Sequence, residues 1–138
     1  MSDRRAPGAD GAGGADAPCP CGLGTAYADC CGRFHRGEST APTAERLMRS
    51  RYAAFAVGDA GYLVRTWHPD TRPPALALDP GLEWTGLTVL RTTGGGLSEQ
   101  TGTVEFTARY RSGAGRGAQH ENSRFARVDG VWMYVGEA

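Results

Sequence analysis

The amino-acid sequence predicts an α+β fold in which helices come first, a sheet follows, and a small metal-binding unit precedes both. Apolar residues recur at helical spacing between residues 44 and 67. From residue 82 onward the period becomes two, which is typical of strands that are buried on one face. All four cysteines fall within residues 19–31. Helices followed by a run of strands favour the α+β class.

Length and charge restrict the function classes. The 138 residues suffice for one domain and a small appendage, and 15 basic residues balance 15 acidic ones. This balance gives no direct indication of nucleic acid or an anionic membrane as a partner. No run of about 18 apolar residues exists, so we expect no membrane span. We expect a cytoplasmic protein.

Residues 1–17 are rich in glycine, alanine and aspartate and hold almost no large apolar side chain. A segment of this composition buries too little surface to offset the entropy of ordering it, so we expect a disordered tail. Its two arginines have no apolar stretch behind them, so it does not have the pattern of a secretory signal.

The cysteines form two close pairs: Cys19 with Cys21, and Cys30 with Cys31. Gly22 and Gly24 allow a tight turn after the first pair, since glycine adopts positive φ without strain. Thr25 predicts the N-cap of a short helix over Ala26–Cys31, and Gly32 its end. Such a turn and helix bring the second pair back to the first.

Three interpretations of the thiols compete. Disulfides would require an oxidising compartment, and a redox pair would normally show the Cys-x-x-Cys spacing, which is absent. A structural zinc site with four thiolate ligands is favoured, although thiolates also suit iron. His35 could replace one cysteine as a ligand, but a packing role is favoured.

Two helices are predicted next. Thr43 is a suitable N-cap for the first helix and Gly58 a suitable end. Asp59 caps a second helix that carries residues 62–67 and is broken at His68-Pro69. The proline-rich residues 69–81 predict a loop.

Strands follow the loop. Residues 103–110 alternate between apolar and polar types, and residues 131–135 form a last strand that is apolar on both faces. Gly94–Gly96 and Gly113–Gly117 predict hairpin connections. Because Trp132 and Tyr134 share the face opposite to Val131, Met133 and Val135, the second apolar face needs cover. The helices, the metal-binding unit or a second copy in a homodimer could supply it.

The cysteine segment resembles a known zinc-binding unit. Its sequence CPCGLG, then Tyr27 and CCG, is similar to the SEC-C motif, which also occurs at the C-terminus of the translocase motor SecA. The resemblance implies zinc on Cys19, Cys21, Cys30 and Cys31, and a protein or ribosomal partner for the motif. The lysines that usually flank the tyrosine are replaced by Ala26 and Ala28.

Further segments resemble the bacterial YchJ-like family. They are APTAERLMRSRY from residue 41, YL and TWHP from residue 62, EWTGL from residue 83, and ENSRF from residue 121. The resemblance implies a SEC-C motif over residues 18–36 and an NTF2-like domain over residues 41–138. Such a domain lays its helices across a curved, mostly antiparallel sheet, forming a cone with an internal pocket. Many members carry a second SEC-C motif after this domain, and this sequence shows none.

One residue of the first helix does not suit its apolar face. Arg51 falls among apolar residues, and a buried guanidinium requires an acid, carbonyl groups or a ligand anion. A structural salt bridge with Glu83 or Glu121 competes with a place in the pocket. The candidates to line or rim the pocket from this part of the chain are Arg51, Tyr52, Trp67, His68 and Trp84.

A second polar cluster lies near the end of the chain. On a strand, His120, Asn122 and Arg124 share one face, while Glu121, Ser123 and Phe125 share the other. His120, Glu121 and Arg124 are further pocket candidates. A serine–histidine relay is excluded here, because Ser123 and His120 point to opposite faces.

Three functions remain open, and the first is favoured. The chain could be a non-enzymatic adaptor or binding module whose zinc unit and sheet face engage a protein or ribosomal partner. It could instead bind or convert a small molecule in a pocket that uses Arg51, His68 and His120. It could also handle zinc or iron reversibly. An enclosed pocket with converging polar groups would favour the second function, and a filled core with an exposed aromatic patch the first.

Overall fold

A computed structural model describes residues 15–138 of the chain. The predicted tail therefore lies mostly outside the described residues. After a 3-10 turn over Tyr27–Asp29, the helices are α1 (Cys31–His35), α2 (Ala44–Val57) and α3 (Ala60–Arg65). The strands are β1 (Glu83–Gly94), β2 (Thr101–Ser112), β3 (Gly115–Val128) and β4 (Val131–Glu137).

The four strands form one sheet in the order β1-β2-β3-β4, and every neighbouring pair is antiparallel. The register shifts twice between β1 and β2 and once between β3 and β4. Such irregularities bend strands, and they let the sheet curve around the helices on its inner face. The α+β class predicted from the sequence is confirmed.

Helices α2 and α3 begin at the predicted caps. The Thr43 hydroxyl accepts a hydrogen bond from the Arg46 N–H at 3.1 Å, and the Asp59 carboxylate accepts one from the Tyr62 N–H at 3.0 Å. Gly58 ends α2 with a φ of 82°, a conformation that favours glycine. The caps therefore fix how long each helix is.

The short helices of the N-terminal unit differ from the single helix predicted over Ala26–Cys31. Cys30 has φ −120° and ψ −115°, which separates the 3-10 turn from α1. Gly32 does not end a helix but lies inside α1. A Cβ at Gly32 would come within 2.7 Å of the Tyr27 carbonyl oxygen, so close packing rather than helix termination explains this glycine.

The chain after α3 joins the sheet. The Tyr134 N–H donates to the Thr66 carbonyl at 2.8 Å, and the His68 N–H donates to the Tyr134 carbonyl at 2.7 Å. Trp67 thereby forms a parallel bridge beside β4 instead of continuing the helix. This pairing covers part of the β4 edge and carries the Trp67 ring to the inner face.

The main core lies between α2 and the inner face of the sheet. Trp132 is 1% exposed and its indole N–H donates to the Pro42 carbonyl at 3.2 Å, just before α2 begins. The buried residues of this core are Ala41, Ala44, Leu47, Met48, Tyr52, Val104, Ala108, Phe125 and Trp132. The chain's own helices therefore cover the inner apolar face of β4.

A second cluster joins the N-terminal unit to the helices. It consists of Phe34 from α1, Ala54 from α2, and Tyr62 and Leu63 from α3. None of the helices within residues 15–138 is long and apolar enough to cross a membrane.

Candidate functional site

The four cysteines converge as the sequence predicts. Their sulfur atoms all lie within 4.8 Å of one another, the Cys21 and Cys30 sulfurs are 3.7 Å apart, and none of the four is in a disulfide. A tetrahedral site with zinc–sulfur bonds of about 2.3 Å has sulfur–sulfur edges of about 3.8 Å. The donor set and spacing therefore fit a four-thiolate metal centre, and all four side chains are buried.

Crowding makes it costly to ionise all of these thiols together. Hydrogen bonding to Cys19, together with burial, raises the pKa of Cys21 to about 12 and also raises the pKa of Cys31. The hydrogen bonds from these same neighbours lower the pKa of Cys19 to about 2. Four thiolates at this distance require a cation, so metal binding would release protons.

Helix α2 holds the cysteine unit from one side. The Arg49 guanidinium donates to the Cys21 carbonyl at 2.8 Å, and Arg46 Nη2 lies 3.8 Å from the Cys30 sulfur. Ala53 packs among the cysteines. The two arginines place positive charge beside a site that would carry net negative charge with a divalent ion, as outer partners of metal ligands commonly do.

His35 packs beside the cysteine cluster rather than joining it. The Tyr27 hydroxyl is 2.5 Å from its Nδ1, and Nε2 donates to the Ser50 carbonyl at 2.9 Å. Burial lowers the pKa of His35 below its ordinary value. Since both ring nitrogens are engaged, the packing role predicted from the sequence fits the geometry.

A cavity of about 290 Å³, partly open to solvent, lies on the other side of α2, between that helix and the sheet. Most of its wall is aromatic or aliphatic, and it includes Phe55, which is 37% exposed. The residues that line it are Met48, Arg51, Tyr52, Phe55, Trp67, Trp84, Phe106, Ala108, Gln119, Glu121, Ser123, Phe125 and Tyr134. A mostly apolar cavity with a few converging polar groups is the usual form of a small-molecule site.

Arg51 is the charged group on the helix side of this cavity, and it is 6% exposed. Its Nη1 donates to the Leu63 carbonyl and to the Thr66 hydroxyl, both at 2.7 Å. The guanidinium carbon lies 4.6 Å from the centre of the Tyr134 ring. Burial lowers the pKa of Arg51 to about 10, so the side chain remains a cation at neutral pH.

Glu121 is the acidic group on the sheet side. The Tyr134 hydroxyl donates to its Oε2 at 3.1 Å, and the Ser123 hydroxyl donates to the same oxygen. The Gln119 amide reaches the other oxygen at 3.4 Å. Burial and the charge of Glu121 raise the pKa of Tyr134 to about 12, so the phenol keeps its proton and remains a donor.

Comparison with known proteins agrees with this architecture. Residues 43–137 match the family described as the YchJ middle NTF2-like domain, which is well over half of the chain. The chain belongs to the YchJ-like family. Residues 17–33 match the SEC-C motif. The NTF2-like fold predicted from the resemblance is confirmed.

Curated relatives within the YchJ-like family are named UPF0225 proteins. One from Streptomyces coelicolor is 61% identical over 118 residues, which cover 86% of this chain and 92% of the relative. One from Corynebacterium glutamicum is 55% identical over 116 residues, which cover 84% of this chain and 92% of the relative.

Two solved structures share the fold. A SEC-C motif containing protein from Rhodopseudomonas palustris has a TM-score of 0.76 and 35% identity, with 88% of this chain and 98% of that one covered. A second, from Psychrobacter arcticus, has a TM-score of 0.71 and 30% identity, with 88% and 81% covered.

The structure brings together five of the predicted pocket residues and separates three from them. Those in the cavity wall are Arg51, Tyr52, Trp67, Trp84 and Glu121. His68 lies outside this wall, and its Nδ1 accepts from the Asp70 N–H at 3.0 Å. His120 and Arg124 lie on the outer face of the sheet, where His120 pairs with Glu105 at 2.6 Å.

The salt bridge considered for Arg51 is absent within residues 15–138, since no carboxylate there lies within 4.0 Å of its guanidinium. Glu83 instead pairs with Arg111 at 2.7 Å on the outer face. Sequence reasoning did not select Gln119, Ser123 and Tyr134 for the pocket. Alternation along β3 places Gln119 and Ser123 on the face of Glu121, and that pattern could have found them.

Proposed function

We propose that this chain is a small-molecule-binding protein. Its NTF2-like domain would hold the ligand in the cavity between α2 and the sheet, and its SEC-C unit would hold a structural zinc ion that braces the opposite side of α2. A pocket with converging polar groups, in place of a filled core, supports this role over that of a pure adaptor.

One observation carries the proposal: buried polar groups converge on an otherwise apolar cavity. Arg51 and Glu121 enter it from opposite walls, and Tyr134 lies between them. A cavity left only by imperfect packing would not gather the buried Arg51 and the half-buried Glu121, because withdrawing charged groups from water is costly. A catalytic role for His68 and His120 in this cavity has no support, since neither lines it.

The test compares the binding of small aromatic compounds to the original chain with their binding to a variant whose cavity is filled by a larger side chain. We would measure saturation-transfer NMR with 2-naphthol, 2-naphthamide and 2-naphthoate on the metal-loaded protein and on Ala108→Phe. Ala108 is buried in the cavity wall, so a phenyl group there takes up the ligand's space. We expect saturation transfer to at least one probe in the original chain and its loss in the variant.

Ala118→Phe is the matched control, because Ala118 is exposed on the outer face of the neighbouring strand β3, opposite Arg109 of β2. It should keep binding. Amide spectra and metal content would confirm that both variants fold. Absence of binding to every probe, or equal binding in folded Ala108→Phe, would remove the proposal.

The zinc part of the proposal rests on the four buried sulfurs and on the SEC-C match. When bound, zinc would supply folding free energy and cross-links rather than chemistry, since four thiolates leave no position for a substrate. Thiolate ligands also suit iron, so metal analysis is part of the test. Reversible metal handling has less support, because α2 and its arginines close one side of the site.

An adaptor role is the second candidate, and one surface feature favours it. Leu23 is 44% exposed at the turn of the SEC-C unit, between Gly22 and Gly24, whose φ values are 89° and 87°. An exposed leucine fixed on a rigid turn could enter an apolar site on a protein or ribosomal partner.

Co-sedimentation with bacterial ribosomes would test this second candidate. Leu23→Ser should lower the bound fraction if the turn makes the contact. Leu97→Ser is the matched control, because Leu97 is 75% exposed in the loop between β1 and β2. Equal sedimentation of all three proteins, or sedimentation of none, would argue against a ribosomal contact through this turn.

A further inference from the structure

The cavity contains a cation whose hydrogen-bonding demand the protein meets only in part. Among the described residues, the hydrogen bonds of the Arg51 guanidinium all leave from Nη1, and their acceptors are the uncharged Leu63 carbonyl and Thr66 hydroxyl. Nε and Nη2 have no acceptor among the described residues, and Arg51 lines the cavity, so these groups are left for a ligand. Glu121 shares the cavity but makes no hydrogen bond to this cation, and a ligand anion in direct contact would stabilise the buried guanidinium further.

A second donor lies beside Arg51. The Trp67 indole N–H is buried and has no hydrogen-bond partner among residues 15–138. The guanidinium carbon lies 5.3 Å from the centre of the Trp67 ring, and both residues line the cavity. Trp67 therefore belongs to the aromatic wall beside the guanidinium, and Arg51 remains the donor group that a ligand in the cavity can reach.

Glu121 presents the opposite case. Tyr134 and Ser123 donate to one of its oxygens and Gln119 to the other, so the protein itself satisfies this carboxylate. The group in the cavity that still lacks hydrogen-bond partners is therefore the Arg51 guanidinium, which needs an acceptor, and not Glu121. A ligand carrying a negatively charged acceptor group meets that demand.

The remaining wall indicates what the rest of the ligand looks like. Trp84 has its ring centre 6.0 Å from that of Tyr52 and 6.0 Å from that of Phe55, and Phe106 lies across from them on the sheet. Aromatic walls suit a flat apolar body. The volume of about 290 Å³ is just below the usual range for ligand sites, about 300–1,000 Å³, so the ligand is small.

We infer that the cavity takes a small organic monoanion, an aromatic or apolar carboxylic acid whose carboxylate is held by Arg51 and whose body lies among the rings. A guanidinium can bind a carboxylate through two parallel hydrogen bonds. A phosphate dianion suits the site less, because one guanidinium compensates one negative charge and the second would stay uncompensated in a cavity that also holds Glu121. This inference rests on the small-molecule function proposed above.

The experiment compares an acid with its neutral amide on the metal-loaded protein. Dissociation constants of 2-naphthoate, 2-naphthamide and 2-naphthyl phosphate would be measured by titration calorimetry. We expect the acid to bind at least about tenfold more tightly than the amide, because hydrogen bonds to charged groups are the stronger ones. We expect the phosphate to bind more weakly than the acid.

Arg51→Met should reduce acid binding to the level of the amide and leave amide binding nearly unchanged. Arg51→Lys keeps the positive charge but not the paired N–H donors of the guanidinium, so its affinity for the acid should lie between those of the original chain and Arg51→Met. Arg116→Met is the matched control, because Arg116 is exposed at the far end of β3 and the substitution removes the same charge. It should change neither the dissociation constant of the acid nor that of the amide.

The outcomes separate this inference from the proposed function. Equal binding of acid and amide to the original chain would contradict the inference that the ligand is a monoanion, but it would still support a ligand-binding pocket. This comparison does not depend on the folding of any variant. Tighter binding of the phosphate would also overturn it. Failure of every probe to bind would remove the proposed function itself.

Discussion

At the scale of single residues, Arg51 decides how the cavity should be understood. Its guanidinium bonds a carbonyl and a hydroxyl at the end of α3 and stacks against Tyr134, while no carboxylate of the described residues is close enough for a salt bridge. Its structural contribution is thus to tie α3 to α2. Its positive charge has no ion-pair partner among the described residues and is available to a ligand in the cavity.

We predict that Arg51→Met costs about 1–3 kcal/mol of unfolding free energy, measured by urea denaturation of metal-loaded protein. Two hydrogen bonds are lost, but no buried acid is left alone, and the loss of a buried charge offsets part of the cost. A loss of about 3–5 kcal/mol would indicate a buried ion pair instead. Arg116→Met should be within about 0.5 kcal/mol of the original chain.

His35 makes stability depend on pH. It is buried as a neutral ring between the Tyr27 hydroxyl and the Ser50 carbonyl, and burial lowers its pKa below the ordinary value of 6.5. The unfolded chain therefore takes up the proton first. This contribution to stability is complete above the unfolded pKa and is lost as pH falls through the lower folded pKa.

We predict that the free energy of unfolding falls between about pH 7 and about pH 5, and that His35→Gln shows a smaller fall. Metal content would be measured at each pH, because the thiols also bind protons as metal leaves. Parallel curves for the two proteins would show that His35 is not the group responsible.

At the scale of elements, α2 connects the SEC-C unit to the domain. The unit meets α2 through Arg49 and through the Ser50 carbonyl, and it meets α3 through Arg65, which donates to the His35 carbonyl at 2.8 Å. These contacts were not predictable from the sequence. Spacing along one segment identifies ligands, but it does not show which face of a neighbouring helix the segment lies on.

We predict that purified protein carries about one equivalent of zinc per chain and that Cys30→Ser lowers this content. Metal analysis and thiol titration would measure both. A competing chelator should remove the metal slowly, because all four sulfurs are buried. Four thiols that react freely in metal-replete native protein would contradict the site.

Removal of the metal should disorder residues 18–36 and leave the sheet folded, since the SEC-C unit has few large apolar residues of its own. Hydrogen exchange should accelerate in that segment first, then in α2, and least in β2 and β3. Loss of protection across residues 83–137 in the same step would instead show one cooperative unit.

At the scale of the whole molecule, the patterns that predicted the fold were local and strong. Two local patterns can be recognised from residues that are neighbours in the sequence. They are the apolar–polar alternation through Val104 and Ala108, and the helix caps at Thr43, Gly58 and Asp59. The break at Cys30 and the bridge of Trp67 to β4 depend on distant partners. The sequence accordingly predicted the layers and five of the thirteen residues that line the pocket, but not which group Arg51 would bond.

Oligomeric state follows from which apolar surfaces stay open. Trp132 is covered within the chain, and Tyr134 packs on Trp67 with ring centres 5.0 Å apart. The rings on the inner face are thus covered by the chain's own segments, whereas Val131, Met133 and Val135 on the opposite face are half-buried, so a homodimer through the sheet stays a prediction. Light scattering at micromolar concentrations tests it: a concentration-dependent dimer would support the prediction, and a monomer throughout would contradict it.

Helix α2 is a wall shared by two sites: Arg46, Arg49 and Ala53 face the cysteines, and Arg51 and Phe55 face the cavity. Thermodynamic linkage makes any coupling between such sites reciprocal. The factor by which bound metal changes the affinity for a ligand equals the factor by which that ligand changes the affinity for metal. A ligand that binds the metal-loaded protein more tightly than the metal-free protein would therefore also raise the affinity for metal, so metal affinity can serve as a reporter for a ligand still to be found.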